Sequence, residues 1–277
     1  MSECFRKLYI FNDEVRNCSE FDSSILYSGE SVYEVIKVSD GVPIFIDDHL
    51  NRLFQTAGLK SRELWLDRKL VSTSVYRILK LNNIDFGNIK IVFNFPTPLN
   101  NSGNFLIYFL EHHYPTLIQE EKGVSSILFF AERDYPSAKI INLHLRSAIF
   151  KRLIDTHSYE ALLVDKERYI TEGSRSNVFF TRNGELYTAP DGDVLSGIAR
   201  KYVLEACKSV GIRVHFSKVH VDNITDFEGV FISGTSPGVL PLSSIGDTNF
   251  DPHCAVIKVI RENYQQIIES HIIRVKD

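Results

Sequence analysis

The sequence predicts an α/β (α+β) protein built from a small N-terminal α/β lobe and a larger, strand-rich C-terminal lobe. Three observations predict it. Alternating strands give way to amphipathic helical stretches early in the chain, a run of turn-forming residues interrupts it near residue 100, and short strand-like runs dominate afterwards. With 277 residues, 44% of them hydrophobic, the chain can bury a sizeable core as one large domain or two of ordinary size.

SVYEVIKV alternates as a strand, so Tyr33, Val35 and Lys37 share one face. DDHLNRLFQTAGLK then places Leu50, Leu53, Phe54 and Ala57 on one helical face, with Asp47 or Asp48 as its N-cap. The strand IKIVFNF is followed by PTPLNNSG, which breaks regular structure before NFLIYFL resumes it. The expected division is a small domain over 1–115, a connection over 116–121 and a larger domain over 122–277. In AKIINLHLRSAIFKR, Leu145, Ala148, Ile149 and Leu153 form one helical stripe, which leaves Lys139 ahead of the first turn. EALLVD, NVFFT, ELYTA, RVHFSKV and GVFISG read as strands, with a hairpin at the Asn-Gly of TRNGEL. Helical patterns run from Ile198 to Val210 and from Ala255 to Ser270.

A net charge of −4 offers no global basic field to recruit nucleic acid or an anionic membrane, so any bound anion needs a local site. Cys4, Cys18, Cys207 and Cys254 form no CxxC pair, which argues against a zinc knuckle or thiol redox motif and for a reducing compartment; no metal site is expected. The N-terminus lacks a basic start followed by a long apolar core, and runs such as FLIYFL are far short of a membrane span, so a cytoplasmic location is expected.

A lone lysine such as Lys139 is ordinarily a solvated surface group, and context changes that reading. VYEVIKV, HLNRL, KIIN, TEGSRSNVF, LSGIAR and SGTSPGVLPL, in this order and at these separations, resemble the class IV (fold-type IV) pyridoxal-phosphate enzymes. That family includes D-amino acid aminotransferases, branched-chain aminotransferases and aminodeoxychorismate lyases. The resemblance runs from about Tyr27 to Pro241. It implies a pseudobarrel in the larger lobe, pyridoxal 5′-phosphate as cofactor, small amino and oxo acids as substrates, and a homodimer.

The resemblance makes Lys139 the Schiff-base residue, an amine that must also move a proton between the substrate Cα and the cofactor, with a pKa lowered for the task. Glu172 matches the carboxylate that pairs with the pyridine nitrogen, and Asn177 closes the same motif. Arg52 matches the phosphate-binding arginine, whose planar fork suits a dianion. Gly197 and Ile198 match a phosphate cup at a helix start, where unpaired N–H groups and the helix dipole favour an anion. Members often carry Thr where Ala199 stands, which leaves Ser196 or backbone amides to compensate. Thr235 and Ser236 match a turn that binds phosphate by a hydroxyl and carboxylate by backbone N–H groups, although Pro237 has no amide to offer.

Within the family, Asn142 lies three residues after Lys139, as in D-amino acid aminotransferases and aminodeoxychorismate lyases. Leu143 stands where branched-chain enzymes have tyrosine. Tyr33, Glu34 and Lys37 follow the aminotransferase pattern, with Tyr33 and Lys37 as substrate contacts. The substrate-carboxylate arginine of D-amino acid aminotransferases is missing, since no Lys or Arg occurs between Lys90 and Lys122; Lys37, Arg133, His112 and His113 are open as substitutes. The expected activity is amino-group transfer between an amino acid and a 2-oxo acid through a Lys139 Schiff base. The alternative is an aminodeoxychorismate lyase forming 4-aminobenzoate and pyruvate; a branched-chain aminotransferase or a non-catalytic cofactor-binding relative ranks behind both.

Overall fold

In the computed structural model, which describes residues 3–96, 103–111 and 114–277, the chain divides into two units. The first comprises Met1–His113, Ala138–Asn142 and Ser270–Asp277, the second Tyr114–Ser137 and Leu143–Glu269. Residues 97–102 of the expected turn-rich run, and His112 and His113, lie outside the described residues.

The first unit is organised by a six-stranded antiparallel sheet of β1 (Leu8–Phe11), β2 (Glu14–Asn17), β3 (Ser31–Ser39), β4 (Val42–Pro43), β5 (Gly87–Asn94) and β6 (Asn104–Leu110), in the order β2-β1-β6-β5-β3-β4. The alternation of β3 is realised: Val32, Ile36 and Val38 are fully buried, whereas Tyr33, Val35 and Lys37 take the other, partly open face. Helices α1 (Ile46–Leu59) and α2 (Arg68–Asn82) cover the buried face, packing Leu50, Leu53, Ala57, Val71 and Val75 against Ile89 and Ile91. Phe54 is only partly buried at the edge of this core.

The N-cap of α1 is neither Asp47 nor Asp48 but Phe45, held at φ 54° without a side-chain cap. The helix begins ahead of the aspartates, so they lie in its first turn and act on the helix dipole instead. The N–H of Phe45 donates to Nε2 of His271 at 3.1 Å.

The opposite sheet face packs Tyr9, Val92, Leu106 and Tyr108 with Leu26 and the half-cystines Cys4 and Cys18. Those two cysteines form a disulfide with a Cα–Cα separation of 5.6 Å, a pairing that their spacing along the chain does not suggest. The fold pairs them: Cys18 directly follows β2, and Cys4 bridges Leu110 at the end of β6. Cys207 and Cys254 are free and buried.

The second unit is a curled ten-stranded sheet. It contains β7 (Val124–Phe130), β8 (Glu160–Val164), β9 (Tyr169–Gly173), β10 (Asn177–Arg182), β11 (Glu185–Thr188), β12 (Val214–Phe216), β13 (Val219–His220), β14 (Gly229–Gly234), β15 (Gly238–Ile245) and β16 (Thr248–Asn249). The order is β12-β11-β10-β14-β15-β7-β8-β9-β13, with β16 beside β15. The expected hairpin joins β10 to β11, with Asn183 at φ 52° and Gly184 at φ 79°, the left-handed pair that a tight two-residue turn requires. Its helices are α3 (Leu117–Lys122), α4 (Leu143–Thr156), α5 (Ile198–Ser209) and α6 (Ala255–Lys276), whose final residues belong to the first unit. The stripe of α4 is narrower than expected: Ile149 and Leu153 are buried and Leu145 partly so, but Ala148 is exposed. Among the described residues no helix is long and apolar enough to cross a membrane, and no cluster of metal-ligating side chains occurs.

Leu53 is completely enclosed in the first core, whereas Leu59, one helix turn and a half further on, is 58% exposed. Leu53→Ala is expected to lower unfolding free energy by about 2–5 kcal/mol, against a change within about 0.5 kcal/mol for Leu59→Ala. Urea denaturation of both variants checks this.

Candidate active site

In the first unit, the alternation that buries Val32 and Ile36 also sends Glu34 inward, towards α1. A carboxylate there needs partners, and α1 provides them from one face at positions 49 and 52. Arg52 donates from Nε to Oε1 and from Nη2 to Oε2, both at 2.7 Å, and Nδ1 of His49 lies 2.8 Å from Oε2. Burial alone would raise the Glu34 pKa; the charge and hydrogen bonds of Arg52, joined by those of His49, outweigh it and hold the carboxyl well below the usual range. His49 is lowered, first by burial and then by the charges of Arg52 and Lys139 acting against the pull of Glu34, so it is mainly neutral at pH 7 and donates through Nδ1.

Lys139 runs alongside β3. Its carbonyl accepts from the N–H of Tyr33 at 3.3 Å, its N–H donates to Oγ1 of Thr56 at 3.4 Å, and the next residue, Ile140, bridges Val32. Its Nζ stands 5.0 Å from the centroid of the Tyr33 ring, within cation–π range. The first unit thus brings Lys139, Tyr33 and the Arg52 cluster to β3, with Lys37 further along the Tyr33 face.

One residue on that face was missed by the sequence reading. Lys90 pairs across the sheet with Val35 on one side and Tyr108 on the other, its side chain only 2% exposed. Its signal was available: a single charge in a strand apolar on both faces, NIKIVFNF.

In the second unit, Glu172 on β9 is 3% exposed. Its Oε2 accepts the N–H of Leu195 at 3.2 Å, and its Oε1 lies 3.1 Å from Nε of Arg133. Arg133 also donates from Nη2 to the carbonyl of Ser174 at 2.9 Å, so it is engaged at the end of β9. Asn177 donates from Nδ2 to the carbonyl of Leu195 at 2.9 Å, linking the Glu172 motif to the segment that enters α5. Gly197 is the N-cap of α5 and has no side-chain cap; a Cβ there would collide with Oδ1 of Asn177. The N–H groups of the first turn, beginning with Ile198, therefore form an anion-favouring helix start.

A second missed residue supports this motif. The carboxylate of Glu160, 2% exposed, accepts from the Ser176 hydroxyl at 2.8 Å, the Ala161 N–H at 2.9 Å and the Ser174 N–H at 3.2 Å, fixing the turn between β9 and β10. Thr235 and Ser236 lie in the turn between β14 and β15, both partly buried. The second unit brings Glu172, Asn177, Gly197 and Ile198 together through Leu195, with Thr235 and Ser236 on a separate turn.

The family model for class IV amino-transferases matches residues 31–245. A protein of Methanocaldococcus jannaschii whose assigned name is branched-chain-amino-acid aminotransferase is 25% identical over 272 residues, 94% of each chain. The D-alanine aminotransferase of Bacillus licheniformis is 25% identical over 225 residues, 78% of this chain and 79% of its own. The aminodeoxychorismate lyase of Bacillus subtilis is 24% identical over 247 residues, 84% and 83% of the two chains. Among solved structures, the branched-chain amino acid aminotransferase of Escherichia coli superposes with a TM-score of 0.85 at 21% identity, covering 95% of each chain, which shows a shared fold-type IV architecture.

The Glu34 cluster has a measurable pH signature. Its folded-state pKa lies below the unfolded value of about 4.3, so its contribution is complete above that value and is lost as pH falls towards the depressed one. Glu34→Gln leaves Arg52 buried without its anion and is expected to cost about 3–5 kcal/mol at neutral pH. In urea titrations from pH 7 to pH 3, the gap between wild type and variant should narrow only below about pH 4.

Proposed function

The chain belongs to the class IV aminotransferases, and from that premise we propose that it transfers an amino group between an amino acid and a 2-oxo acid. Class IV aminotransferases use pyridoxal phosphate. The residues present fit it: an amine at Lys139, a guanidinium at Arg52, the uncapped α5 start at Gly197 and Ile198, hydroxyls at Thr235 and Ser236, and a buried carboxylate at Glu172. When bound, this cofactor supplies an aldehyde that condenses with amines and a ring that takes up the electron pair released at the substrate Cα.

The chain's residues do the rest. Lys139 Nζ would take the proton from the substrate Cα and deliver it to the carbon two atoms away, beyond the substrate nitrogen. Glu172, kept beside Arg133, would hold a proton on the pyridine nitrogen, and Asn177 steadies the Leu195 segment that donates to Glu172. Arg52, oriented by Glu34, would meet a phosphate with its guanidinium, the α5 start would offer one its N–H groups, and Tyr33 and Lys37 would line the substrate wall. Two copies assemble as a homodimer. The observation that carries this reading is the seating of Lys139, whose main chain is bonded to β3 and whose amine is held against Tyr33.

Asn142 and Leu143 favour the D-amino acid side of the family over the branched-chain side. A second reading, an aminodeoxychorismate lyase, is favoured by the same Lys139 to Asn142 spacing and the similarity to the Bacillus subtilis lyase. The cofactor's fate separates the two readings. For the aminotransferase, at least one amino acid from a panel of D- and L-alanine, glutamate and leucine should bleach the visible band of the bound cofactor, and pyruvate or 2-oxoglutarate should restore it. If no amino acid does so while aminodeoxychorismate yields 4-aminobenzoate with the band intact, the lyase reading replaces it.

Borohydride reduction and peptide mapping should place the pyridoxyl group on Lys139; label on Lys37, Lys90 or Lys151 would overturn that assignment.

A further inference from the structure

A lysine buried in the middle of a strand needs an anion, and β5 carries none. The partner of Lys90 comes from the start of the chain: its Nζ donates to Oε2 of Glu3 at 2.7 Å, and the hydroxyl of Tyr108 donates to the same oxygen at 2.6 Å. An ammonium and a phenol converging on one oxygen form a carboxylate site, whichever carboxylate fills it.

Two further observations distinguish this site from an ordinary core ion pair. It lies on the sheet face that carries Lys139. Nζ of Lys90 is 5.3 Å from the Tyr33 ring centroid and Nζ of Lys139 is 5.0 Å from it, so one aromatic ring contacts both ammonium groups. The occupant also differs in exposure from its host: the Glu3 side chain is 26% exposed against 2% for Lys90, so water reaches the pair from the carboxylate side. Glu3 is delivered by a short tether, since Cys4 is disulfide-bonded to Cys18 and the N–H of Phe5 donates to the carbonyl of Phe109 at 2.9 Å.

We propose that Lys90 and Tyr108 form the binding site for a carboxylate of the substrate, with Glu3 as its resident occupant, displaced when substrate enters. The identity of the ligand as an amino or oxo acid rests on the proposed aminotransferase function; the anion site itself does not. Lys90 thereby takes the part of the missing carboxylate arginine, and Glu3 weakens the binding of a carboxylate ligand at this site by competing for the same two donors.

Glutarate serves as the probe, because it carries carboxylates but neither amine nor keto group. Its affinity for the cofactor-loaded protein is measured by calorimetry in wild type, Glu3→Gln, Lys90→Met and the double variant. Removing the internal competitor should tighten glutarate binding by about tenfold or more in Glu3→Gln, and binding should vanish in both proteins lacking Lys90. Equal affinity in wild type and Glu3→Gln, or binding retained without Lys90, would overturn the proposal. Glu3→Gln, a change at a partly exposed side chain, keeps the test independent of whether Lys90→Met folds. Amino-acid bleaching on the same samples separates the two readings. A glutarate pattern as expected without bleaching sinks the aminotransferase function alone, and bleaching with flat glutarate affinities sinks the carboxylate site alone.

Discussion

A carboxylate withdrawn from water must be met by a cation and by enough donors to replace its hydration, because the cost of desolvating the ion is several kcal/mol. Each unit of this protein is arranged around that requirement. In the first, Glu34 ties β3 to α1 through Arg52 and His49. In the second, Glu172 ties the end of β9 to Arg133 and to the Leu195 segment that enters α5. Remove either carboxylate and Arg52 loses its buried anion, or the Leu195 amide its acceptor.

The two clusters differ in a way that suits different work. Glu34 is sealed, with both oxygens held by Arg52 and one also by His49, so it acts as a fixed brace that aims a guanidinium. Glu172 is gripped by Arg133, itself 21% exposed in its side chain, and by the Leu195 amide. Its orientation is set from behind: Glu160 fixes the turn through Ser174 and Ser176, and Arg133 grips the carbonyl of Ser174 while it pairs with Glu172. The buried Glu160 thus positions the motif without belonging to the chemistry proposed for it.

What could be read from the chain alone was what local periodicity and motif spacing encode. The alternation of β3, the apolar face of α1 and the Asn183-Gly184 hairpin each depend on a few neighbouring residues, and each is present. The motif residues Lys139, Glu172 and Arg52 could be named, but not their partners. Arg133 was considered only for a substrate carboxylate, and its pairing with Glu172 spans strands that no local pattern connects. The Glu3–Lys90 pair joins residues 87 positions apart, and the Cys4–Cys18 bridge depends on β6 passing beside the N-terminus. Phe45 as an N-cap was illegible for another reason: a bulky residue at positive φ has no propensity signal, since the surrounding chain imposes that conformation.

The role assigned to Glu172 is electrostatic, so the protonation state of the atom it serves is the quantity to read. Nitrogen-15 NMR of the protein loaded with cofactor labelled at the pyridine nitrogen reports it directly. The expected result is a protonated pyridinium shift in wild type that moves to the unprotonated position in Glu172→Gln. The same shift in both proteins would show that Glu172 does not hold that proton, and would contradict the assignment of its carboxylate to the cofactor ring.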